Sequence, residues 1–180
     1  MAYENSTGYP SVSDILAVYV DKQWFTDEPK IRGEIVHAAA ASYLLGLFSP
    51  PVDPEYQGYV DSMKRWIDDC VVEVVLVEKR LIDERLKYCG KPDLIAVLKG
   101  RHSNTMIDFK TGQQELKPFR IQNAAYRNLA KENGIMIQSG MTVRLKPDGS
   151  GAIIAEYQSN YQKEFNIFIG ILNSYKYFLL

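Results

Sequence analysis

Asp108 and Lys110 stand two residues apart in the run Met106-Ile107-Asp108-Phe109-Lys110-Thr111. On a strand, side chains at i and i+2 share a face. A carboxylate and an ammonium would therefore project together, with Phe109 turned the other way into apolar surroundings. A second carboxylate, Asp93, opens the preceding strand-like run after Gly90-Lys91-Pro92. A short hairpin loop joins the two runs and can bring Asp93 beside Asp108. Paired carboxylates are hard oxygen ligands suited to Mg²⁺ or Mn²⁺. Such an ion activates a water and stabilises charge on a phosphodiester, while Lys110 would orient that water and offset developing negative charge. The chemistry indicated is metal-dependent hydrolysis, with Asp93, Asp108 and Lys110 as the catalytic set. A bare D-x-K arises by chance in roughly every second or third chain of this size, and its ordinary reading is a surface salt bridge. The order turn-aspartate, strand, hairpin, strand ending in D-x-K-T-G, then helix carries more weight than the triplet.

Those residues need a scaffold. Ser11-Val12-Ser13-Asp14 after Pro10 reads as the start of a capped helix running over 15–19. A second helix is expected over 31–47, rich in alanine and leucine. Ser49-Pro50-Pro51 and Asp53-Pro54 end it, and a third follows over 55–70. The β-branched run 71–77 is strand-like. Further strands are expected at 85–88, 93–98 and 105–110, with a turn or bulge at 89–92 and a hairpin loop at 99–104. A helix over 118–132 stops at Asn133-Gly134. Strands at 135–145 and 152–157 flank the turn Lys146-Pro147-Asp148-Gly149-Ser150-Gly151. A final helix over 165–180 carries Asn166, Asn173 and Lys176 on one stripe, as a docked amphipathic helix would. This order predicts one α/β domain over 1–180, a mixed central sheet flanked by helices.

Bulk properties narrow the function classes. With 180 residues, 46% hydrophobic and 24% charged, the chain reads as an ordinary globular domain with a sizeable core. A net charge of -1 gives no global attraction to nucleic acid and speaks against a passive DNA coat. A nuclease needs only an acidic site and a locally basic rim. Cys70 and Cys89 form no C-x-x-C pair and are too few for a cysteine-built zinc or iron–sulfur site, so buried free thiols are expected. The polar start over 1–9 offers no signal peptide, and no stretch of about 18 apolar residues occurs. No membrane association is expected, and the location expected is cytoplasmic.

Gly90-Lys91-Pro92-Asp93 followed by Ile107-Asp108-Phe109-Lys110-Thr111-Gly112 resembles the core of PD-(D/E)XK nucleases, and more narrowly the RecB-type exonuclease branch. Gly33-x-x-x-His37 is similar to the upstream histidine motif of that branch, and Gln122-x-x-x-Tyr126 to its downstream Q-x-x-x-Y motif. Residues 9–16, Tyr9-Pro10-Ser11-Val12-Ser13-Asp14-Ile15-Leu16, are similar to the N-terminal entry of the mitochondrial genome maintenance exonuclease and its phage relatives. The resemblance spans residues 9 to about 130. It implies a restriction-endonuclease-like core and a bacterial or phage-encoded protein acting on DNA, with a bias towards free ends. The setting implied is repair, recombination, replication or phage DNA processing, with protein partners there. It implies that Asp93 and Asp108 hold the ion, that the Phe109 backbone carbonyl completes the shell, and that His37 is a further ligand. Glu78 matches the acidic residue that often precedes the aspartate motif, with Glu73 and Glu84 as competitors. Gln122 and Tyr126 would contact DNA or brace the site. Two features of the branch are missing from this sequence. One is the cysteine cluster of its iron–sulfur members. The other is a phosphate-binding G-x-x-x-x-G-K-[ST] loop, so any translocation must come from another protein.

Other residues remain open between two readings. His37 lies among Gly33, Ala38, Ala40 and Ala41, which leave room for DNA or metal; alone it would be a structural histidine. Arg120, Arg127 and Lys131 fall on a different helix face from Gln122 and Tyr126, as a solvated face or as phosphate contacts. Lys99, Arg101 and His102 stand between phosphate contacts and a solvated loop, the loop being the ordinary reading. Two rival functions stand beside the exonuclease: a non-catalytic DNA- or protein-binding module on the same fold, and a structure-specific endonuclease.

Overall fold

The computed structural model describes residues 8–18, 27–112, 114–157 and 160–179. The polar residues 1–7, Tyr19 and Leu180 lie outside the described residues. Twelve elements follow in order among those described: α1 (Val12–Ala17), α2 (Asp27–Leu44), α3 (Pro54–Cys70), β1 (Val71–Val77), β2 (Leu81–Asp83), β3 (Tyr88–Gly90), β4 (Leu94–Leu98), β5 (Asn104–Lys110), α4 (Lys117–Glu132), β6 (Ser139–Arg144), β7 (Ile153–Tyr157) and α5 (Gln162–Leu179).

Local chemistry sets several of these boundaries. Ser11 and Asp14 form a reciprocal capping box at α1. Asp53 caps α3, with Pro54 in the first turn, where a missing N–H costs nothing. The helix expected over 31–47 starts earlier, at Asp27, and stops at Leu44, where Gly46 takes φ +64°. The strand expected at 85–88 is a correction. Residues 84–87 form a turn between β2 and β3, in which Lys87 adopts φ 51° and the Asp83 carboxylate accepts the Leu86 N–H at 2.7 Å. β6 is also shorter than expected, because residues 135–138 are not strand.

The main sheet has the order β1-β4-β5-β6-β7, and β2-β3 form a separate pair. Every neighbouring pair in the main sheet is antiparallel except β5 and β6, which run parallel. A parallel pair needs a crossover, and α4 supplies it. One face of the sheet buries Ile107, Phe109 and Val143 against Val36, Met63 and Trp66 of α2 and α3. The other buries Ile95 and Met106 against Ile15, Tyr126, Leu129 and Phe168 of α1, α4 and α5. Strand alternation thus puts Phe109 in one layer and leaves Asp108 and Lys110 on the Met106 side. The result is the expected mixed sheet flanked by helices.

The final helix docks through Phe168 and Leu172, and Lys176 Nζ donates to the Leu86 carbonyl at 2.6 Å, while Asn166 and Asn173 stay exposed. Both cysteines are free thiols. Among the described residues no helix is long and apolar enough to cross a membrane.

Candidate active site

The start of β4 and the end of β5 meet at one edge of the sheet. Asp93 immediately precedes β4, and its Oδ2 accepts the Phe109 N–H at 2.7 Å. That bond locks one carboxylate to the strand that carries the other. Asp93 Oδ1 lies 3.3 Å from His37 Nδ1. Glu78 follows β1 at φ 46°, its N–H donates to the Asp93 carbonyl at 3.2 Å, and its Oε1 lies 3.8 Å from the same imidazole nitrogen. Lys91 covers Glu78 as an ion pair. The other imidazole nitrogen, Nε2, lies 3.1 Å from the Phe109 carbonyl oxygen. His37 therefore reaches both the aspartate group and the backbone carbonyl, from a helix on the far side of the sheet.

The lysine has its own holder. Lys110 Nζ lies 2.7 Å from Asp108 Oδ2, donates to Gln122 Oε1 at 2.9 Å and sits 5.0 Å from the Phe119 ring centroid. Gln122 Nε2 donates to the Tyr126 hydroxyl at 3.4 Å, and Ser13 lines the same cavity as these two side chains. Gln122 and Tyr126 are one helical turn apart on α4, so both face the same way. Tyr126 is buried and lies against Gly90, where a Cβ would stand 2.6 Å from its Cε1. Gly90 leaves the space that lets this ring pass under the strand.

Electrostatics follow from burial. The Asp93 carboxyl is pushed up to about 6, chiefly by desolvation, with His37 pulling it down and Asp108 pushing it up. Burial also raises the Tyr126 hydroxyl, reinforced by Asp108 and Asp93. Two buried carboxylates side by side are costly unless a cation meets them. Among the described residues, His37, Glu78 and Asp93 form a group whose ligand atoms all lie within 4.8 Å of one another. Asp108 stands outside that trio but lines the same cavity of about 650 Å³, with Gln122, Tyr126, Ser11 and Ser13 on its walls. Imidazole, carboxylates and a carbonyl oxygen form a donor set that suits Mg²⁺ or Mn²⁺.

The structure thus brings His37, Glu78, Asp93, Asp108, Lys110, Gln122 and Tyr126 to one place. It separates Arg120 and Arg127, which line another cavity, about 290 Å³, on a different side of α4 with Tyr157 and Tyr161. Arg120 is exposed. Arg127 corrects the solvated-face expectation. Its side chain is buried, its Cζ sits 4.2 Å from the Tyr161 ring centroid, and Nη2 donates to the Gln138 carbonyl at 3.1 Å. Arg101 is tied to Ser139 and Glu156 at 3.1 and 2.6 Å, so it braces the sheet instead of standing in a solvated loop. Ser13, Phe119 and Lys91 were not singled out from sequence; a serine beside a cap and a lysine beside a turn carry no signal of their own.

No protein-family model and no curated protein matches the chain in sequence. In structure it is similar to SSO0001, with a TM-score of 0.54 and 17% identity over 94% of this chain and 75% of that one. It is also similar to a protein described as "Putative exonuclease" from Eubacterium rectale, with a TM-score of 0.57 and 13% identity, covering 97% of this chain and 87% of the other. At these identities the likeness establishes a shared fold, the five-stranded mixed sheet flanked by helices.

Proposed function

We propose that this chain is a Mg²⁺- or Mn²⁺-dependent deoxyribonuclease of the PD-(D/E)XK type, RecB branch, that hydrolyses phosphodiester bonds from a DNA end. The observation that carries this reading is the His37 ring. It has one nitrogen toward Asp93 and Glu78 and the other at the Phe109 carbonyl, beside the Asp108–Lys110 pair. The fold shared with the E. rectale protein supports it.

His37, Asp93, Asp108 and the Phe109 carbonyl would hold the ion, with Glu78 at its margin. When bound, the ion supplies an activated water and charge stabilisation at the scissile phosphate. The chain's own groups do the rest. Lys110 presents an ammonium to charge developing on the phosphoryl oxygens. Gln122 fixes the direction of that ammonium through its Oε1, and Tyr126 holds Gln122 in turn. Asp108 holds the lysine close. Arg120, exposed near the start of α4, contacts a backbone phosphate. The buried Arg127 holds α4 to the segment beyond β7. The biological setting is DNA repair, recombination, replication or phage DNA processing in the cytoplasm of a bacterium, alongside protein partners there.

The test is cleavage of end-labelled single- and double-stranded DNA, and of a closed circle, with Mg²⁺, Mn²⁺ or EDTA. Cleavage from ends with metal is expected, falling about 10²- to 10⁴-fold in Lys110→Ala. Full activity in EDTA or in Lys110→Ala defeats the mechanism. Cutting of the closed circle makes the protein an endonuclease, and binding without cutting leaves a DNA-binding module.

A further inference from the structure

One strand beyond the catalytic pair, the same face of the sheet carries a different set of donors. β5 and β6 run parallel in register, so Thr142 lies beside Asp108 and Arg144 beside Lys110. The strands are about 4.8 Å apart. Tyr157 of β7 leans over the same face, and its hydroxyl lies 2.5 Å from Thr142 Oγ1. Arg120 Cζ sits 5.5 Å from the Tyr157 ring centroid, at the rim. The Tyr157 hydroxyl, backed by Thr142, and the Arg144 guanidinium thus face one spot, with Arg120 at its rim. Donors of this kind recognise a phosphate.

The spot is filled by a carboxylate from the chain itself. Glu115 belongs to the segment between β5 and α4. Its Oε1 accepts from the Tyr157 hydroxyl at 2.5 Å. Its Oε2 lies 3.8 Å from Arg144 Nε, a long ion pair, and that oxygen is buried without a hydrogen bond. The carboxylate therefore takes a close hydrogen bond from Tyr157 and only a long ion pair from Arg144, and one of its own oxygens is left without a hydrogen bond. A tetrahedral anion, with more oxygens, could meet both donors at once.

We propose that Thr142, Arg144 and Tyr157 form a phosphate subsite for the substrate strand next to the scissile position, and that Glu115 occupies it as an internal stand-in until DNA displaces it. This rests on the DNA-hydrolase reading above. One strand spacing from Asp108 and Lys110 is of the order of the step between neighbouring phosphates along a nucleic-acid strand. A strand whose scissile phosphate meets Lys110 can thus lay its neighbour on Arg144. Glu115 must leave for that to happen, so its charge opposes binding, and Arg144 favours it.

The experiment measures binding of a fluorescein-labelled oligonucleotide by anisotropy, and its cleavage with Mn²⁺, across a salt series. It compares the wild type with Glu115→Gln, Arg144→Gln and the double variant. Glu115→Gln keeps the Tyr157 contact and removes the charge; it should bind DNA roughly fivefold more tightly. Arg144→Gln should bind more weakly, with the slope of log affinity against log salt reduced by about one. In the Arg144→Gln background the gain from Glu115→Gln should vanish. A gain of affinity cannot come from misfolding, so the first variant stays decisive even if the others are unstable. Unchanged or weaker binding by Glu115→Gln, or a gain that persists without Arg144, overturns the subsite while leaving the nuclease reading in place. A wild type that neither binds nor cuts the oligonucleotide overturns both.

Discussion

Along the carboxyl ends of β5 and β6 the sheet changes chemistry within a single strand spacing. On β5, Asp108 joins Asp93, Glu78 and His37 around a pocket whose three carboxylates are met by two lysines, Lys91 on Glu78 and Lys110 on Asp108. On β6, in register, Arg144 and, through the Tyr157 hydroxyl, Thr142 turn toward an anion, and the chain closes that spot with Glu115. One region is short of positive charge, and the other supplies its own negative charge. A phosphodiester with a divalent ion would complete the first and replace Glu115 in the second. The same backbone geometry, two parallel strands joined by α4, thus serves two opposite electrostatic requirements.

The contrast can be broken most directly with metal. Saturating Mn²⁺, about a hundredfold over its dissociation constant, should stabilise the native state by about 2.7 kcal/mol. The gain should disappear in His37→Ala and survive in Glu115→Gln. Thermal unfolding with and without Mn²⁺ measures it, and loss of the shift in Glu115→Gln would show that the two regions are one site.

A smaller effect separates the regions by pH. The Asp93 carboxyl rises from 3.8 to about 6 on folding. A raised acid binds its proton more tightly in the native state, so its ionisation destabilises the metal-free protein above pH 6. That penalty fades as pH falls through the window from about 6 to 4, and is absent below it. Asp93→Asn should therefore stabilise the metal-free protein at pH 7 by on the order of 1–3 kcal/mol, and by nothing at pH 3.5. Denaturant titrations at the two pH values decide it; equal effects at both would assign the change to packing.

The smallest expected effect sharpens the role of α4. Tyr126→Phe removes the hydroxyl that holds Gln122, and should cost about 1 kcal/mol of stability and a few-fold in turnover, with DNA affinity unchanged. A change in affinity without a change in turnover would make Tyr126 a DNA contact instead of a brace.

How much was legible in the sequence depends on sequence distance. Asp93, Asp108 and Lys110 were readable because a hairpin and a period of two determine their relation locally. His37 reaches Phe109 across 72 positions, and no local rule forecasts that; only the resemblance of Gly33-x-x-x-His37 pointed to it. Thr142 and Arg144 were missed because the parallel pairing of β5 with β6 is made through a whole crossover helix. Helical periodicity put Arg120 and Arg127 near one face of α4, but it cannot say which part of that face another element covers. Tyr161, just before α5, buries Arg127 and leaves Arg120 in solvent. The turn at 84–87 escaped notice because Lys87 enters the left-handed region, which a lysine does not announce.

Gly90 shows how far the orientation of Lys110 depends on an atom that is not there. The Tyr126 ring occupies the volume a methyl group would take, and through Gln122 it determines where Lys110 points. A position with no functional group thus also limits how far this site can change. A drift of one carbon there would leave every ligand and every charge in the chain and still misdirect the ammonium. Searching for nuclease competence by catalytic letters alone would pass such a chain as intact.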